Sequence, residues 1–132
     1  MSHTSEIEAE IGRARQSLQA AELLYDNGLF SDSLSRSYYA ILHAARAALL
    51  TQGVRVNSHE AVKRLFGMHL VKPGLLSAEL AISIRQEQDD RFLADYDVTF
   101  EPAAEQTEER VIEARGFLER IDSFVQNREG SS

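Results

Sequence analysis

Apolar residues recur at intervals of three and four along most of this 132-residue chain. The first series comprises Ile7, Ile11, Ala14, Leu18, Ala21 and Tyr25, and the last comprises Val111, Ala114, Leu118, Ile121 and Val125. This spacing places apolar side chains on one face of a helix, whereas a half-buried strand would need them at every second position. No stretch of the sequence has that alternation. The pattern therefore predicts an all-α protein whose long helices bury one face against each other.

Glycine and proline residues divide this pattern into five segments. The predicted helices cover residues 5–27, 31–52, 58–70, 77–95 and 103–126. Gly28 and Gly53 follow the first two segments, at the position where a C-terminal cap is common. We therefore predict one domain over residues 1–132, an up-and-down bundle of four long helices with one short additional helix. Its ends, residues 1–4 and 128–132, are expected to be flexible.

Polar residues near three of the predicted helix starts can accept hydrogen bonds from the free backbone N–H groups there. Ser31 or Asp32 can cap the second helix, and Ser77 precedes the fourth. Asn57 and Glu60 have the spacing of a capping box before the third. These residues predict where the helices begin.

The composition excludes several classes of protein. With 43% hydrophobic and 27% charged residues, the chain has the balance of an ordinary globular protein. No segment approaches the roughly 20 apolar residues that a membrane-spanning helix needs, and residues 1–10 lack the pattern of a secretory signal. We expect a cytoplasmic protein without membrane contact. The net charge of −7 disfavours nucleic acid unless the surface has a local basic groove, and no DNA partner is expected.

Motifs for metals and cofactors are absent from the sequence. The chain has no cysteine, and its histidines form neither an HExxH motif nor the Glu-x-x-His motif of di-iron bundles. No glycine-rich phosphate loop and no GxSxG elbow is present. We therefore expect no metal and no cofactor.

The second predicted helix carries polar residues among its alanines and leucines. Its apolar stripe consists of Leu34, Tyr38, Ile41, Leu42, Ala45 and Leu49. Tyr39, His43 and Arg46 follow at intervals of four and three on another face, where their side chains can meet. They can bind a ligand, or they can bridge to carboxylates on a neighbouring helix. Two apolar or semi-polar faces on one helix also predict a symmetric dimer.

The fourth predicted helix begins apolar and becomes charged. Arg91 and Asp95 lie near the helical face that starts with apolar residues, so they form either a structural ion pair or, with Arg85, a groove for an anion. The acidic run 87–90 is typical of a solvated face and would repel RNA from that side.

An arginine that holds a phosphate and a histidine that moves a proton are together the minimum for metal-independent RNA cleavage.

Three stretches of the chain resemble one known family. They are LFSDSLSRSYYAILHAARAALL, SHEAVKRLFGMHLV and RQEQDDRFLADYDV, within about residues 20–98. Together they are similar to the HEPN superfamily, specifically its small stand-alone bacterial and archaeal members. The resemblance implies an all-helical bundle, a homodimer, and a minimal nucleotidyltransferase partner encoded nearby.

Many HEPN proteins are ribonucleases with an R-x4-6-H motif near the end of a long helix, completed across the dimer interface. The corresponding stretch here contains Arg91, Asp95 and Tyr96, and no histidine follows His69. The catalytic candidates are therefore Arg91 with Asp95 or Tyr96, or Arg64 with His69 on the short helix. In related toxins the tyrosine of this motif can receive AMP from the partner, and Tyr96 is the matching residue.

Three functions are consistent with these residues. The first is a binding and regulatory HEPN homodimer that acts with a nucleotidyltransferase in a toxin–antitoxin-like or nucleotide-sensing pair, without RNase activity of its own. The second is a divergent metal-independent ribonuclease toxin, and the third is a helical scaffold without a ligand. We expect the first, because the motif lacks its histidine. RNA or a nucleotide would then bind at the arginines and tyrosines named above.

Overall fold

The computed structural model describes residues 2–130, with side chains described for residues 4–127. The helices are α1 (Ser2–Asp26), α2 (Phe30–Leu50), α3 (His59–Phe66), α4 (Ala78–Tyr96) and α5 (Ala104–Gly130), and α3 continues into a π-helical turn over Gly67–Val71. No strand occurs within residues 2–130. The predicted all-α bundle of four long helices and one short helix is confirmed. At the two ends, residues 2–4 and 128–130 are helical. Residues 1, 131 and 132 lie outside the described part. The predicted flexibility of the ends stays a prediction.

Helix α2 lies at the centre of the bundle, in contact with α1, α3, α4 and α5. The predicted stripe is confirmed, because all of its residues are buried: Leu34, Tyr38, Ile41, Leu42, Ala45 and Leu49. Four alanines on the other sides of α2 are also fully buried, namely Ala40, Ala44, Ala47 and Ala48. Small side chains let neighbouring helices approach closely. Helix α2 therefore packs on almost every side.

The helix ends confirm some of the predicted caps and correct others. Gly28 and Gly53 have positive φ angles of 74° and 72°, as expected after a helix. The predicted cap at Ser31 or Asp32 is wrong, because α2 begins at Phe30 and Leu29 precedes it without a side-chain cap. The turn between α1 and α2 is short, and the Leu29 N–H closes it by donating a hydrogen bond to the Leu24 carbonyl at 2.9 Å.

The caps of the next two helices come from serines. Ser58 caps α3 by accepting a hydrogen bond from the Ala61 N–H at 3.3 Å. The predicted capping box at Asn57 is therefore wrong by one residue: Ser58 has the extended backbone of a cap residue, and α3 begins at His59. Ser77 caps α4 as predicted, accepting from the Glu79 N–H at 3.2 Å.

Helix α4 contacts the core only over its first part. Leu80 and Ile84 are buried as expected, but Phe92, predicted to continue the same apolar series, is 59% exposed. The first part packs on α2 and α3, whereas the last two turns carry Arg91 and Asp95 toward α2 and leave Phe92 facing outward. This part of α4 positions the candidate site.

Candidate anion-binding site around Arg91

The contact between α2 and α4 brings Arg91 to the residues expected to bind a ligand. The Arg91 Nη2 donates a hydrogen bond to the Tyr39 hydroxyl at 3.1 Å. One turn along α4, the Asp95 Oδ2 lies 2.8 Å from the Arg91 Nε. The spacing of four residues on one helix places these two side chains side by side. Arg91, Asp95 and Tyr39, which the sequence placed in separate patterns, therefore form one cluster.

The Arg91 guanidinium keeps hydrogen-bonding capacity within this cluster. Its side chain is 17% exposed and its Nε is buried. Although the Nε is close to Asp95, it makes no hydrogen bond of acceptable geometry with any described residue. Asp95 thus balances the charge without satisfying the donor. Because the Nε is buried, an anion could accept hydrogen bonds only from the other atoms of the guanidinium, which account for the exposed part of the side chain.

Three tyrosine rings surround the Arg91 guanidinium. Its central carbon lies 5.5 Å from the ring centre of Tyr38, 5.6 Å from that of Tyr39 and 5.9 Å from that of Tyr96. The negative faces of aromatic rings stabilise a cation at such distances. Burial lowers the pKa of Arg91, but the effects of Tyr39 and Asp95 are larger together, so the pKa is raised above its usual value. The Arg91 guanidinium therefore stays positively charged, and Asp95 balances that charge.

The cluster lies at the edge of a surface groove of about 460 Å³. Its lining residues are Leu24, Asp32, Ser35, Arg36, Tyr39 and Asp95. The Ser35 hydroxyl donates to the Asp95 Oδ1 at 2.6 Å, which fixes the carboxylate between α2 and α4. Arg36 is exposed. The groove thus offers a ligand hydroxyl groups, the two carboxylates of Asp32 and Asp95, and cationic groups at its edge.

One further residue of the cluster, His59, is not among those predicted from the sequence. Its ring centre lies 5.8 Å from that of Tyr38 and 5.9 Å from that of Tyr39. Burial, with the positive charges of Arg91 and Arg46 and the nearby His43, lowers the pKa of His59 below its usual value. The imidazole is therefore neutral near pH 7 and can accept a proton.

A signal for His59 was present in the sequence. His59, Val62 and Phe66 are spaced by three and four, and the latter two are buried, so the first residue of α3 faces the bundle. The R-x4-6-H pattern does not detect it, because His59 precedes Arg91 by more than thirty positions and belongs to another helix.

His43 and Arg46 contact a carboxylate of α1. The His43 Nδ1 lies 2.7 Å from the Glu10 Oε1, and the Arg46 Nε lies 3.4 Å from the Glu10 Oε2. Burial raises the pKa of Glu10, but His43 and Arg46 lower it more, so Glu10 is ionised near neutral pH. His43 and Arg46 therefore bridge to a carboxylate on a neighbouring helix, which was the second of the two roles predicted for them from the sequence.

The remaining candidates lie away from Arg91. Arg85 and Arg64 are exposed, and the side chain of neither makes a hydrogen bond or an ion pair within the described part of the chain. His69 lies in the π-helical turn and makes no hydrogen bond with Arg64 among these residues. The structure therefore does not assemble an Arg64–His69 pair, and it leaves Arg85 outside the cluster.

The acidic run 87–90 is not the solvated face that the sequence predicted. Glu87 is only 1% exposed and lies at the contact between α4 and α5. Arg110 of α5 contacts Asp90 at 2.7 Å and Glu113 at 3.1 Å. Burial and the adjacent Glu113 raise the pKa of Glu87 well above its usual value, although Arg110 opposes this. Glu87 faces the bundle because it follows Leu80 and Ile84 at helical spacing, and we infer that its carboxyl is protonated.

Two other features of the described residues bear on function. No group of three or more acidic or histidine side chains is arranged to hold a metal ion in this part of the chain. None of the described helices combines the length and the apolar character that crossing a membrane would require.

Comparison with known proteins identifies the family. Residues 7–128 match the model of the HEPN domain, so the chain belongs to the HEPN domain family. A protein of Methanocaldococcus jannaschii named "Putative toxin MJ0605" is 37% identical over 116 residues, which cover 88% of this chain and 86% of that protein. A UPF0332 protein of Gloeobacter violaceus is 43% identical over 93 residues, 70% of this chain and 74% of its own. "Putative toxin MJ0142" of M. jannaschii is 31% identical over 120 residues, 91% of this chain and 82% of its own.

The buried carboxyl of Glu87 predicts a pH-dependent stability. An acid with a raised pKa in the folded state binds its proton more tightly there than in the unfolded chain, so stability falls as pH rises above the unfolded value. Glu87→Gln keeps a neutral side chain of similar shape at every pH. We expect its free energy of unfolding to exceed that of the wild type by a margin that grows from pH 5 to pH 8, measured by urea denaturation.

The matched control is Glu119→Gln, since Glu119 lies on α5 and is exposed. This variant should leave the pH dependence unchanged. Equal differences at pH 5 and pH 8 for Glu87→Gln would contradict the protonated state.

Proposed function

We propose that this HEPN protein is a homodimeric binding and regulatory protein that acts with a minimal nucleotidyltransferase in a toxin–antitoxin-like or nucleotide-sensing pair. Its ligand site is the Arg91 cluster, which takes a phosphate group of RNA or of a nucleotide. The observation that carries this proposal is the Arg91 guanidinium, held between Tyr39 and Asp95 at the edge of a groove. The toxin names of two relatives support a role in such a pair.

The same geometry favours binding over cleavage at Arg91. RNA cleavage needs a group that takes the proton of the 2′-hydroxyl as well as an arginine that holds the phosphate. Asp95 already accepts a hydrogen bond from Ser35 and balances the charge of Arg91. Tyr96 is 64% exposed and makes no hydrogen bond with a described residue through its side chain. Neither residue is arranged as a general base, so the site holds phosphate without cleaving the strand.

A second candidate function, a metal-independent ribonuclease, is favoured by one observation. His59 packs on Tyr38 and Tyr39, the two tyrosines nearest Arg91, and its imidazole is neutral near pH 7. It could therefore take the proton that Asp95 cannot. This differs from both catalytic pairs predicted from the sequence, because the proton carrier would come from the start of α3.

Incubation of the pure protein with tRNA and with total RNA distinguishes the two functions. We expect no cleavage, together with salt-sensitive tRNA binding that Arg91→Ala weakens about ten- to a hundredfold in fluorescence anisotropy. That range corresponds to the loss of one or two hydrogen bonds from a charged donor. Arg85→Ala is the matched control, since Arg85 is exposed on the same helix but outside the cluster, and it should weaken binding less than threefold.

If the wild type cleaves RNA and both Arg91→Ala and His59→Gln abolish the cleavage, the protein is a ribonuclease that uses these two residues. Cleavage that is lost in His69→Ala instead would point to the pair on the short helix. Equal binding by the wild type and Arg91→Ala would show that the cluster is not the ligand site.

The homodimer has its best candidate surface on α4. The sequence argument for a dimer relied on the two faces of α2, but neighbouring helices of the same chain bury most of that helix. Phe92 is 59% exposed. Ile82 and Leu93 on the same helix are exposed as well. Such exposed apolar side chains favour a two-fold contact between the α4 helices of two copies.

Light scattering at micromolar concentration tests the dimer. We expect twice the protomer mass of 14.8 kDa for the wild type, and the protomer mass for Phe92→Asp, because a charge would have to be buried in the contact. Met68→Asp is the control, since Met68 is 50% exposed outside α4. A wild type that stays monomeric would remove the homodimer from the proposal.

Co-expression with a nucleotidyltransferase encoded beside the gene tests the partnership. We expect the two proteins to copurify as a defined complex in size-exclusion chromatography. If the partner also transfers AMP, the expected acceptor is the exposed Tyr96, and mass spectrometry would show one added AMP group that Tyr96→Phe lacks. A nucleotidyltransferase that elutes separately from the wild type would contradict the proposed pair.

A further inference from the structure

A second groove lies between the end of α1 and the first half of α5, and it shares no lining residue with the groove at Arg91. Its volume is about 410 Å³. Tyr25 and Asp26 of α1 line one side, and Glu108 and Ile112 of α5 line the other, with Val111 between them. We call this the α1–α5 groove.

The α1–α5 groove carries an uncompensated negative charge. Its one lining cation, Arg115, forms an ion pair with Glu22, which also lines the groove. Asp26 and Glu108 have no ion-pair partner among the side chains of residues 4–127. Glu105 and Glu109, exposed on the same turns of α5, add to the negative potential. This surface repels phosphate groups and attracts arginine and lysine side chains.

The groove also exposes apolar surface at its centre. Ile112 is 55% exposed, and the half-buried Tyr25 packs on Phe30 with ring centres 5.7 Å apart. Partial burial and the adjacent Glu108 carboxylate raise the pKa of Tyr25, so its hydroxyl remains a hydrogen-bond donor at neutral pH. An aromatic ring and an exposed isoleucine next to charged residues have the make-up of a protein-binding surface.

We infer that the α1–α5 groove binds the nucleotidyltransferase partner through a segment that presents an apolar side chain between arginine or lysine residues. Charge complementarity carries this inference, because the unpaired carboxylates select a basic partner and the exposed Ile112 selects an apolar contact. It rests on the proposed function for the identity of the partner. It adds the surface on which the partner sits, and it leaves the Arg91 groove free for the ligand.

Titration of the purified, fluorescently labelled nucleotidyltransferase with the full-length chain tests the inference. We expect Glu108→Lys and Ile112→Ser each to weaken binding about tenfold, the usual effect of losing one important interface contact. Raising the salt concentration should weaken binding of the wild type more than that of Glu108→Lys, since screening acts on charges that the variant lacks. Circular dichroism should show the same helical content for all variants.

Two controls carry the same chemical changes outside the groove. Glu119→Lys reverses an exposed carboxylate on the same helix, and Met68→Ser removes an exposed apolar side chain. Both should bind within threefold of the wild type. If the wild type binds and the two groove variants bind equally well, the groove inference is wrong and the proposed partnership stands. If the wild type does not bind, the partnership fails, and the groove inference with it.

Discussion

The burial of α2 on almost every side is the constraint on which the other features of this protein depend. A central helix has little access to water, so most of the polar groups that it carries find partners inside the bundle, although the buried Ser37 hydroxyl has none among the described residues. Ser33 donates to the Ala21 carbonyl at 2.8 Å, His43 pairs with Glu10, and Tyr39 accepts from Arg91. These contacts attach α1 and α4 to α2 at fixed positions. The candidate site thus arises from the same interactions that satisfy the polar groups of α2.

The charges of the protein are distributed so that a net charge of −7 coexists with a cationic site. Arg110, Arg115 and Arg46 each contact at least one carboxylate of another helix. Arg91 differs from them because its carboxylate partner, Asp95, lies on its own helix, and because three tyrosine rings surround its guanidinium. A local anion site can therefore exist on an acidic protein, while the acidic surface of α5 favours cationic groups. The division suits a protein that binds two unlike molecules at once.

The helices could be predicted from the sequence because their apolar spacing is a local property. The stripe of α2 and the caps at Gly28 and Ser77 depend on neighbouring residues alone, and all three are confirmed. His59 and Glu87 could not be assigned in that way. Whether a histidine meets Arg91, or an acidic residue faces the core, depends on which helices pack together and at what rotation.

Only part of the candidate site could be predicted from the sequence, because local spacing does not say which helices pack together. Arg91, Asp95 and Tyr39 were each named from local patterns, and the structure brings them into contact. His43 and Arg46, named from the same helical face as Tyr39, instead contact Glu10 of α1. Helical spacing predicts which side chains share a face of α2. Their partners depend on which other helix packs against α2 at that point.

The tyrosines around Arg91 also give the protein an optical property. The chain has no tryptophan and four tyrosines, of which Tyr38, Tyr39 and Tyr96 lie within 6 Å of the Arg91 guanidinium. Most of the tyrosine absorption in the near ultraviolet therefore comes from this one cluster. Burial raises the pKa of Tyr38 to about 12, so its phenol stays un-ionised well into alkaline solution. The near-ultraviolet absorption of the unlabelled protein is thus dominated by the rings around Arg91.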